Sequence, residues 1–141
     1  MTRSEAEALF RRYEEAWRRH DLEALASLYA ADAVADSPTA GRSVTGRDAI
    51  MEISRTWFTG FPDVDFKTKD LIVDGDRVVG IVTASGTDTG GFLGLPPTNK
   101  PFLVPVVVIL AIRDGQIWRE QRIYDFTGLL MQIGVLKAKP A

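Results

Sequence analysis

Two Asp-Gly dipeptides, Asp74-Gly75 and Asp114-Gly115, divide the second half of the chain, and apolar runs flank each of them. Asp-Gly between two such runs is a strong signal for a β-hairpin, because these residues tolerate the positive φ angles of the tight turn. A loop rich in Gly and Pro, residues 90–101, separates the two predicted hairpins. The sequence therefore predicts a four-stranded antiparallel meander, with strands Val64–Val73, Arg77–Thr87, Phe102–Arg113 and Gln116–Asp125.

The first 60 residues have helical patterns instead. Ser4 and Glu7 have the spacing of a capping box, and apolar residues then recur at helical spacing as far as Trp17, which predicts a helix over residues 5–19. Asp21 is a predicted N-cap for a second, shorter helix, and a third helix is predicted from Thr45 to Gly60. Residues 33–38 fit either a short strand or an extended crossing. Three helices followed by a meander predict an α+β domain, in which the helices cover one face of a curved sheet and leave a cavity for a small molecule.

The composition limits the classes of function. A length of 141 residues suits one domain, predicted over residues 1–141 with its core at about 5–135. The net charge of -2 and the lack of a block of like charges argue against a nucleic-acid surface. With no cysteine and one histidine, thiolate nucleophiles and Cys/His metal sites are excluded, and no metal is expected. No apolar run reaches the ~20 residues that span a membrane, and no secretory signal is visible, so we expect a cytoplasmic protein.

The predicted strand Phe102–Arg113 is apolar on both faces. A strand of this kind needs cover on both sides of the sheet. The helices cover one side, and a second copy of the chain would cover the other. We therefore expect a homodimer that forms through the sheet.

The carboxylate of Asp125, at the end of the last predicted strand, is the first candidate for proton transfer. Burial in an apolar pocket raises the pKa of a carboxyl group and suits it to remove a proton next to a carbonyl. Asp125 is equally suited to cap a helical turn over residues 126–133. If Asp125 points inward, the alternation of side chains along the strand places Gln121 and Ile123 beside it in the pocket. Gln121 would then be a hydrogen-bond donor to an oxyanion. The opposite face would then point outward or toward a dimer partner; it carries Trp118, Glu120, Arg122, Tyr124 and Phe126.

Five further residues are candidates for the same pocket. Asp88 ends its strand beside the Gly-Pro loop. If its carboxylate lies near that of Asp125, repulsion between the two would raise one of their pKa values. Alternatively, Asp88 is a turn residue whose side chain hydrogen-bonds its own backbone. Trp17, Trp57 and Phe92 could line a pocket for a planar ring, although aromatic residues more often belong to the core. Asp36 is a further lining candidate, with a plain surface position as the alternative.

Three stretches of the sequence resemble known proteins. The segment RRYEEAWRRHDLEALASLYAADAV is similar to the helix pair of the NTF2-like superfamily, and GTDTGGFLGLPPTNKP together with YDFTGLLMQIG is similar to the SnoaL-like polyketide cyclases. The resemblance implies a cone-shaped α+β fold, often dimeric through the sheet, with a deep apolar pocket and no cofactor. Asp125 matches the aspartate that serves these cyclases as general acid/base in an intramolecular aldol ring closure. The chain departs from the family at Asp88, where many relatives carry histidine.

The resemblance thus implies a cofactor-independent enzyme of antibiotic biosynthesis, which acts on a small, apolar, carbonyl-bearing, polyketide-like substrate. Fold alone does not choose among related activities. A ketosteroid-isomerase-like isomerase is one alternative, and an epoxide hydrolase that recruits Asp88, Arg122 and Asp125 is another. A ligand-binding domain without chemistry is a third. A small pocket, or an Asp125 that acts as a helix cap, would favour it.

Overall fold

The structure, a computed structural model, describes residues 1–137. The helices in this part of the chain are α1 (Arg3–Arg18), α2 (Leu22–Ala26), α3 (Arg47–Gly60) and α4 (Phe126–Gln132). The strands are β1 (Tyr29–Ser37), β2 (Arg42–Thr45), β3 (Asp65–Asp74), β4 (Arg77–Thr87), β5 (Pro101–Arg113) and β6 (Gln116–Tyr124). One 3-10 turn, Phe92–Gly94, lies in the Gly-Pro loop. Within residues 1–137, no helix has the length and apolar character needed to cross a membrane.

The strands form one curved sheet in the order β2-β1-β6-β5-β4-β3. Strands β3 to β6 form the meander that the Asp-Gly dipeptides predict, with turns at both predicted positions. The antiparallel meander is confirmed, and the sheet also has two strands beyond it. A strand was one of two possibilities for residues 33–38, and β1 there pairs with β6 in parallel, so the sheet as a whole is mixed; β2 extends it beyond β1. Parallel neighbours need a long crossover, and here residues 38–115, more than half of the chain, lie between the two strands. No local signal in residues 29–45 could therefore reveal this pairing.

Side-chain caps fix the starts of α1 and α2. Thr2, rather than Ser4, is the N-cap of α1, and it forms a capping box with Glu5. Glu7, predicted to complete a box with Ser4, instead accepts a hydrogen bond from Arg3 Nε at 2.9 Å. The cap predicted for α2 is confirmed, since an Asp21 oxygen accepts from the Ala24 amide at 3.0 Å.

The helices cover only the concave face of the sheet. Phe10 of α1 packs directly on Gly80 of β4, where an added Cβ would lie 2.0 Å from the ring, so a glycine is needed for this close approach. The concave side of β5 is buried, whereas its other side is apolar but unprotected, as in Leu103, which is 63% exposed. The two-sided apolar character predicted for this strand is thus present, and one side lacks cover within the described chain.

Candidate active site

A small cavity lies between α1, α3 and the concave face of the sheet. Its volume is about 30 Å³, roughly the space of one water molecule. A ligand with a ring therefore requires its lining side chains to move. Nearly all of those side chains are apolar or aromatic: Tyr13, Trp17, Trp57, Val64, Phe66, Ala84, Val106, Val108, Arg122 and Tyr124.

A buried carboxylate, Glu120, organises the floor of this cavity. Its two oxygens accept hydrogen bonds from Tyr13 Oη at 2.5 Å, from Tyr29 Oη at 2.6 Å, and from Arg122 Nε and Nη2 at 3.1 and 3.2 Å. Burial, reinforced by the Glu120 charge, raises the pKa of both tyrosine hydroxyls well above their ordinary range. Both hydroxyls therefore stay protonated and remain donors to Glu120.

The guanidinium of Arg122 is the charged group that lines the cavity. Burial alone would lower its pKa, but the Glu120 carboxylate beside it raises that pKa well above the ordinary range, so Arg122 stays charged. Nη2 also donates to Ser54 Oγ at 3.1 Å, and the guanidinium carbon lies 5.1 Å from the centre of the Trp17 ring. These contacts fix the orientation of the guanidinium.

Three buried side-chain atoms in residues 1–137 lack a hydrogen-bond partner: Arg122 Nη1, Trp17 Nε1 and Ser37 Oγ. Burial raises the pKa of Tyr124, and the Thr39 hydroxyl, which hydrogen-bonds the phenol, opposes this more than Ser37 does. Burial also raises the pKa of Tyr13, and the nearby Trp17 indole opposes it weakly. The Trp17 and Ser37 contacts do not have the geometry of a hydrogen bond. Arg122 and Trp17 line the cavity, whereas Ser37 lines a separate opening at the β1–β2 turn. The two residues of the cavity thus carry unused donors, which can stabilise negative charge on a ligand oxygen.

Trp17 and Trp57 line the cavity, and their role in substrate binding stays a prediction. Phe92 is fully buried and lies behind the lining, with its ring centre 5.1 Å from that of Trp57. Phe92 therefore supports the wall of the cavity without facing its interior.

Asp125 does not project into the cavity. Its side chain is exposed, and Oδ1 accepts a hydrogen bond from the Gly128 amide at 2.8 Å, as the N-cap of α4. An added Cβ at Gly128 would lie 2.2 Å from Oδ2, so the carboxylate sits directly over that glycine. Of the two positions that the sequence left open for Asp125, the structure has the helix cap.

Asp88 is fully buried, but its carboxylate faces the Gly-Pro loop. Oδ1 accepts from the amides of Gly91 and Phe92 at 3.2 and 2.9 Å, and Oδ2 accepts from the amide and hydroxyl of Thr98 at 3.1 and 3.0 Å. All four bonds hold the two ends of the loop together. The prediction that Asp88 and Asp125 share the cavity is wrong, and so is the grouping of Asp88, Arg122 and Asp125 required for an epoxide hydrolase.

Gln121, Ile123 and Asp36 lie on the outer side of the sheet, contrary to the prediction. Ile123 is 53% exposed, and Asp36 accepts a hydrogen bond from Arg119 at 2.7 Å. The side chains of β6 alternate as predicted from residue 119 onward, but the face predicted to point outward is the one that points inward. A bulge beside Ile117 then brings that residue and Glu120, three positions apart, to the same buried side.

The sequence reasoning missed Glu120, Arg122, Tyr13, Tyr29 and Ser54 as members of one cluster. A weak signal was present in the alternation of Glu120, Arg122 and Tyr124 opposite the aromatic face of α1. Charged residues on a strand ordinarily indicate a solvated face. Only the partners that α1, β1 and α3 contribute make their burial favourable.

Comparisons with known proteins agree with the resemblance noted in the sequence. Residues 7–133 match the family of SnoaL-like polyketide cyclases. AclR from Streptomyces galilaeus, described as a candidate hydroxylase, is 26% identical with a TM-score of 0.84, over 99% of this chain and 91% of that one. IdmH from Streptomyces antibioticus, described as a candidate polyketide cyclase, is 30% identical with a TM-score of 0.79, over 92% of this chain and 98% of that one.

A protein from Catenulispora acidiphila with a ketosteroid isomerase-like fold, solved with trimethylamine, shares the fold. It is 24% identical with a TM-score of 0.78, over 94% of this chain and 97% of that one. The search of curated proteins finds no match.

Proposed function

Because the chain belongs to the SnoaL-like polyketide cyclase family, we propose that it is an enzyme acting on a small, apolar, carbonyl-bearing substrate of the polyketide type. The observation that carries the proposal is the buried guanidinium of Arg122 on the floor of an otherwise apolar, aromatic cavity. The similarity to IdmH, a candidate polyketide cyclase, supports the same class of substrate.

The proposed chemistry passes through an enolate. A proton leaves the carbon next to a carbonyl for a water molecule, since the described residues that line the cavity include no carboxylate or imidazole. The negative charge that remains moves to the carbonyl oxygen, in aldol closure and in isomerisation alike. A fixed cation in a site with little water stabilises this charge more strongly than water does, because it need not reorient during the reaction. Arg122 meets this requirement through its hydrogen bonds to Glu120 and Ser54.

Ligand binding without chemistry is the second candidate function. It is favoured by the position of Asp125, whose carboxylate caps α4 in place of facing the cavity. The water-sized volume of the cavity points the same way, because a fused-ring substrate must first displace the lining side chains. If the protein catalyses ring closure or proton exchange on a bound ketone, it is an enzyme and not a binding domain.

Occupation of the cavity can be tested with a neutral aromatic ketone, 2-acetylnaphthalene, followed by isothermal titration calorimetry. We expect wild-type protein to bind it and Ala84→Leu to bind it at least about 10-fold more weakly, because the larger side chain fills the cavity at a cost to folding of only ~1–3 kcal/mol. Thr83→Leu, on the outer face of the same strand, is the matched control and should bind as wild type. Equal binding by Ala84→Leu, with circular dichroism showing a folded protein, would contradict the proposal.

The acid/base role predicted for Asp125 can be tested apart from its role as a cap. Asparagine caps a helix about as well as aspartate, so Asp125→Asn removes the base and keeps the cap. Because the carboxylate is exposed and binds Gly128, we expect turnover to change by less than about threefold, against the ~10²-fold or greater loss expected for a general base. Single-turnover rates on an accepted substrate measure the difference, and a loss of the larger size would restore Asp125 to the catalytic role.

The uncovered face of the sheet supports the proposal of a homodimer. It carries exposed or half-buried apolar side chains, among them Leu103, Val107 and Ile109 of β5 and Ile123 of β6. Exposed apolar surface of this extent marks an interface in many proteins. Ultracentrifugation should show a dimer in which Val107→Glu shifts the equilibrium to monomer, while Ile72→Glu, on the edge strand β3, does not. A wild-type chain that remains a monomer at every concentration would refute the dimer.

A further inference from the structure

We infer that the β1–β2 turn, residues 38–41, is the gate of the cavity, and that Tyr124 is the side chain that moves when the gate opens. The hydrogen bond between Thr39 Oγ1 and Tyr124 Oη keeps the gate closed. When this bond breaks and the Tyr124 ring turns outward, the cavity joins the opening at the turn and a ligand can enter. The inference rests on the proposed function only in that it takes the cavity as the ligand site.

The wall of the cavity reaches the surface at Tyr124. Of the ten residues that line the cavity in the described part of the chain, Tyr124 alone is half-buried, and the other nine are buried. A ligand with a ring does not fit into about 30 Å³, so at least one lining side chain must move. A half-buried ring at the end of β6 can turn into solvent, whereas movement of a buried side chain requires the packed core to rearrange.

The phenol of Tyr124 is held from the side of the turn. Its hydroxyl bonds to Thr39, and its ring packs edge-on against Trp57 and Phe126, with centre distances of 5.5 and 6.1 Å. Ser37 Oγ also lies near the hydroxyl, but the contact lacks the geometry of a hydrogen bond. One hydrogen bond therefore links the position of the ring to the turn.

A second space begins on the other side of this contact. It is an open cleft of about 430 Å³, lined by Asp36, Ser37, Pro38, Gly41, Arg42, Ser43 and Arg122. Arg122 also lines the cavity, so the two spaces meet at its side chain. Bonds to Glu120 and Ser54 fix the Arg122 guanidinium. Tyr124, two residues further on the same face of β6, is thus the neighbouring side chain that is free to move.

The segment that carries the turn is held loosely by the rest of the domain. None of residues 38–45 is buried, and β2 pairs only with β1, at the edge of the sheet. In the part of the chain that the structure describes, the Thr39–Tyr124 bond is the one side-chain hydrogen bond that joins residues 38–45 to an element other than β1. Gly41 and Gly46, with φ of 69° and 101°, stand at the two ends of β2 and allow this strand to swing.

The closed gate leaves two polar atoms beside it without partners. Ser37 Oγ and Arg122 Nη1 are both buried and unpaired within residues 1–137. A buried polar atom without a partner is costly, and water that enters through the open gate would pair with both atoms. This cost reduces the free-energy difference between the closed and open states, so that a single hydrogen bond can decide between them.

Thiol labelling measures the opening directly, because the chain has no cysteine. Ala84→Cys places one thiol in the wall of the cavity, and its rate of reaction with dithiodipyridine, a neutral aromatic disulfide, reports how often the cavity is open. We expect Thr39→Val and Tyr124→Phe, each added to this background, to react about 3–10-fold faster, which is the effect of one hydrogen bond. The variant with both changes should react no faster than the faster single one, because both remove the same bond.

Thr68→Val is the matched control, because it removes a hydroxyl that bonds Glu14 across another wall of the cavity, between β3 and α1. It should label at the rate of the Ala84→Cys background. Labelling through the gate should also depend only weakly on urea, since little surface is exposed, whereas labelling through global unfolding depends on it strongly. Equal labelling with and without the Thr39–Tyr124 bond would overturn the gate. Acceleration in Asp88→Asn alone would overturn it too, and would assign the entrance to the Gly-Pro loop.

The ketone 2-acetylnaphthalene connects the gate with ligand entry. Its association rate, followed by stopped-flow quenching of tryptophan emission, should rise in Thr39→Val by about the same factor as the labelling rate, and bound ketone should protect the introduced thiol. An unchanged association rate would overturn entry by this route. If the ketone does not bind, the proposed function fails for this class of ligand, and the labelling rates alone decide whether the turn is the gate.

Discussion

Replacement of Glu120 by glutamine is expected to lower the free energy of unfolding by about 3–5 kcal/mol. The substitution removes the negative charge and leaves the guanidinium of Arg122, a residue that is 7% exposed, without its counter-charge in an apolar environment. The amide nitrogen of glutamine is a donor, and it would face the hydroxyl and guanidinium donors that now surround the carboxylate. The loss therefore combines an unpaired buried charge with lost hydrogen bonds.

Urea denaturation followed by circular dichroism measures this loss, and an exposed ion pair supplies the matched control. Glu52 lies 2.9 Å from Arg55 with both side chains more than half exposed, so Glu52→Gln should cost at most about 1 kcal/mol. The double variant Glu120→Gln/Arg122→Met should recover part of the loss, because the stranded cation is then absent. A Glu120→Gln protein as stable as Glu52→Gln would mean that the buried network contributes nothing measurable.

Replacement of Asp88 by asparagine is expected to lower the free energy of unfolding by about 2–4 kcal/mol. Hydrogen bonds to charged groups are strong, and a buried donor that loses its acceptor is costly. Four donors from the Gly-Pro loop converge on the two carboxylate oxygens. An amide offers one oxygen and one donor group, so the donors opposite its nitrogen lose their acceptor. We expect the loop between residues 89 and 100 to open more often.

Hydrogen exchange at the amides of Gly91, Phe92 and Thr98 reports this opening directly. Asp63→Asn is the control, because Asp63 is exposed and accepts one bond, from the Thr87 amide at 2.7 Å. Exchange at the three loop amides should accelerate in Asp88→Asn and stay unchanged in Asp63→Asn. Unaltered exchange together with a large fall in turnover would instead assign Asp88 a catalytic role.

Local signals in the sequence were sufficient for most of the secondary structure. Asp74-Gly75 and Asp114-Gly115 gave the two hairpins, and Asp21 gave the start of α2. Each signal acts within a few residues, so it operates in any tertiary context. The motif shared with the SnoaL-like family gave the fold, which covers nearly the whole chain.

The site was predicted far less well, and the reason lies in alternation itself. The two-residue period of side-chain direction divides β6 into two faces, but it does not determine which face points inward. The polar pattern favoured Gln121 and Asp125, whereas Glu120 and Arg122 are the buried residues. The motif at Asp125 was found correctly, but only the direction of its oxygens distinguishes a helix cap from a base in a pocket.

By itself, the sequence determined the order of helices and hairpins, the two-sided apolar character of β5, and membership of the family. Only the tertiary structure decided that β1 lies parallel to β6 and that the inward face of β6 carries an ion pair. The physical reason is that the hydrogen bonds of Glu120 are completed by Tyr13 and Tyr29, 107 and 91 positions earlier, in addition to those from its neighbour Arg122. A buried charge depends on partners that the fold assembles, and no local pattern records them.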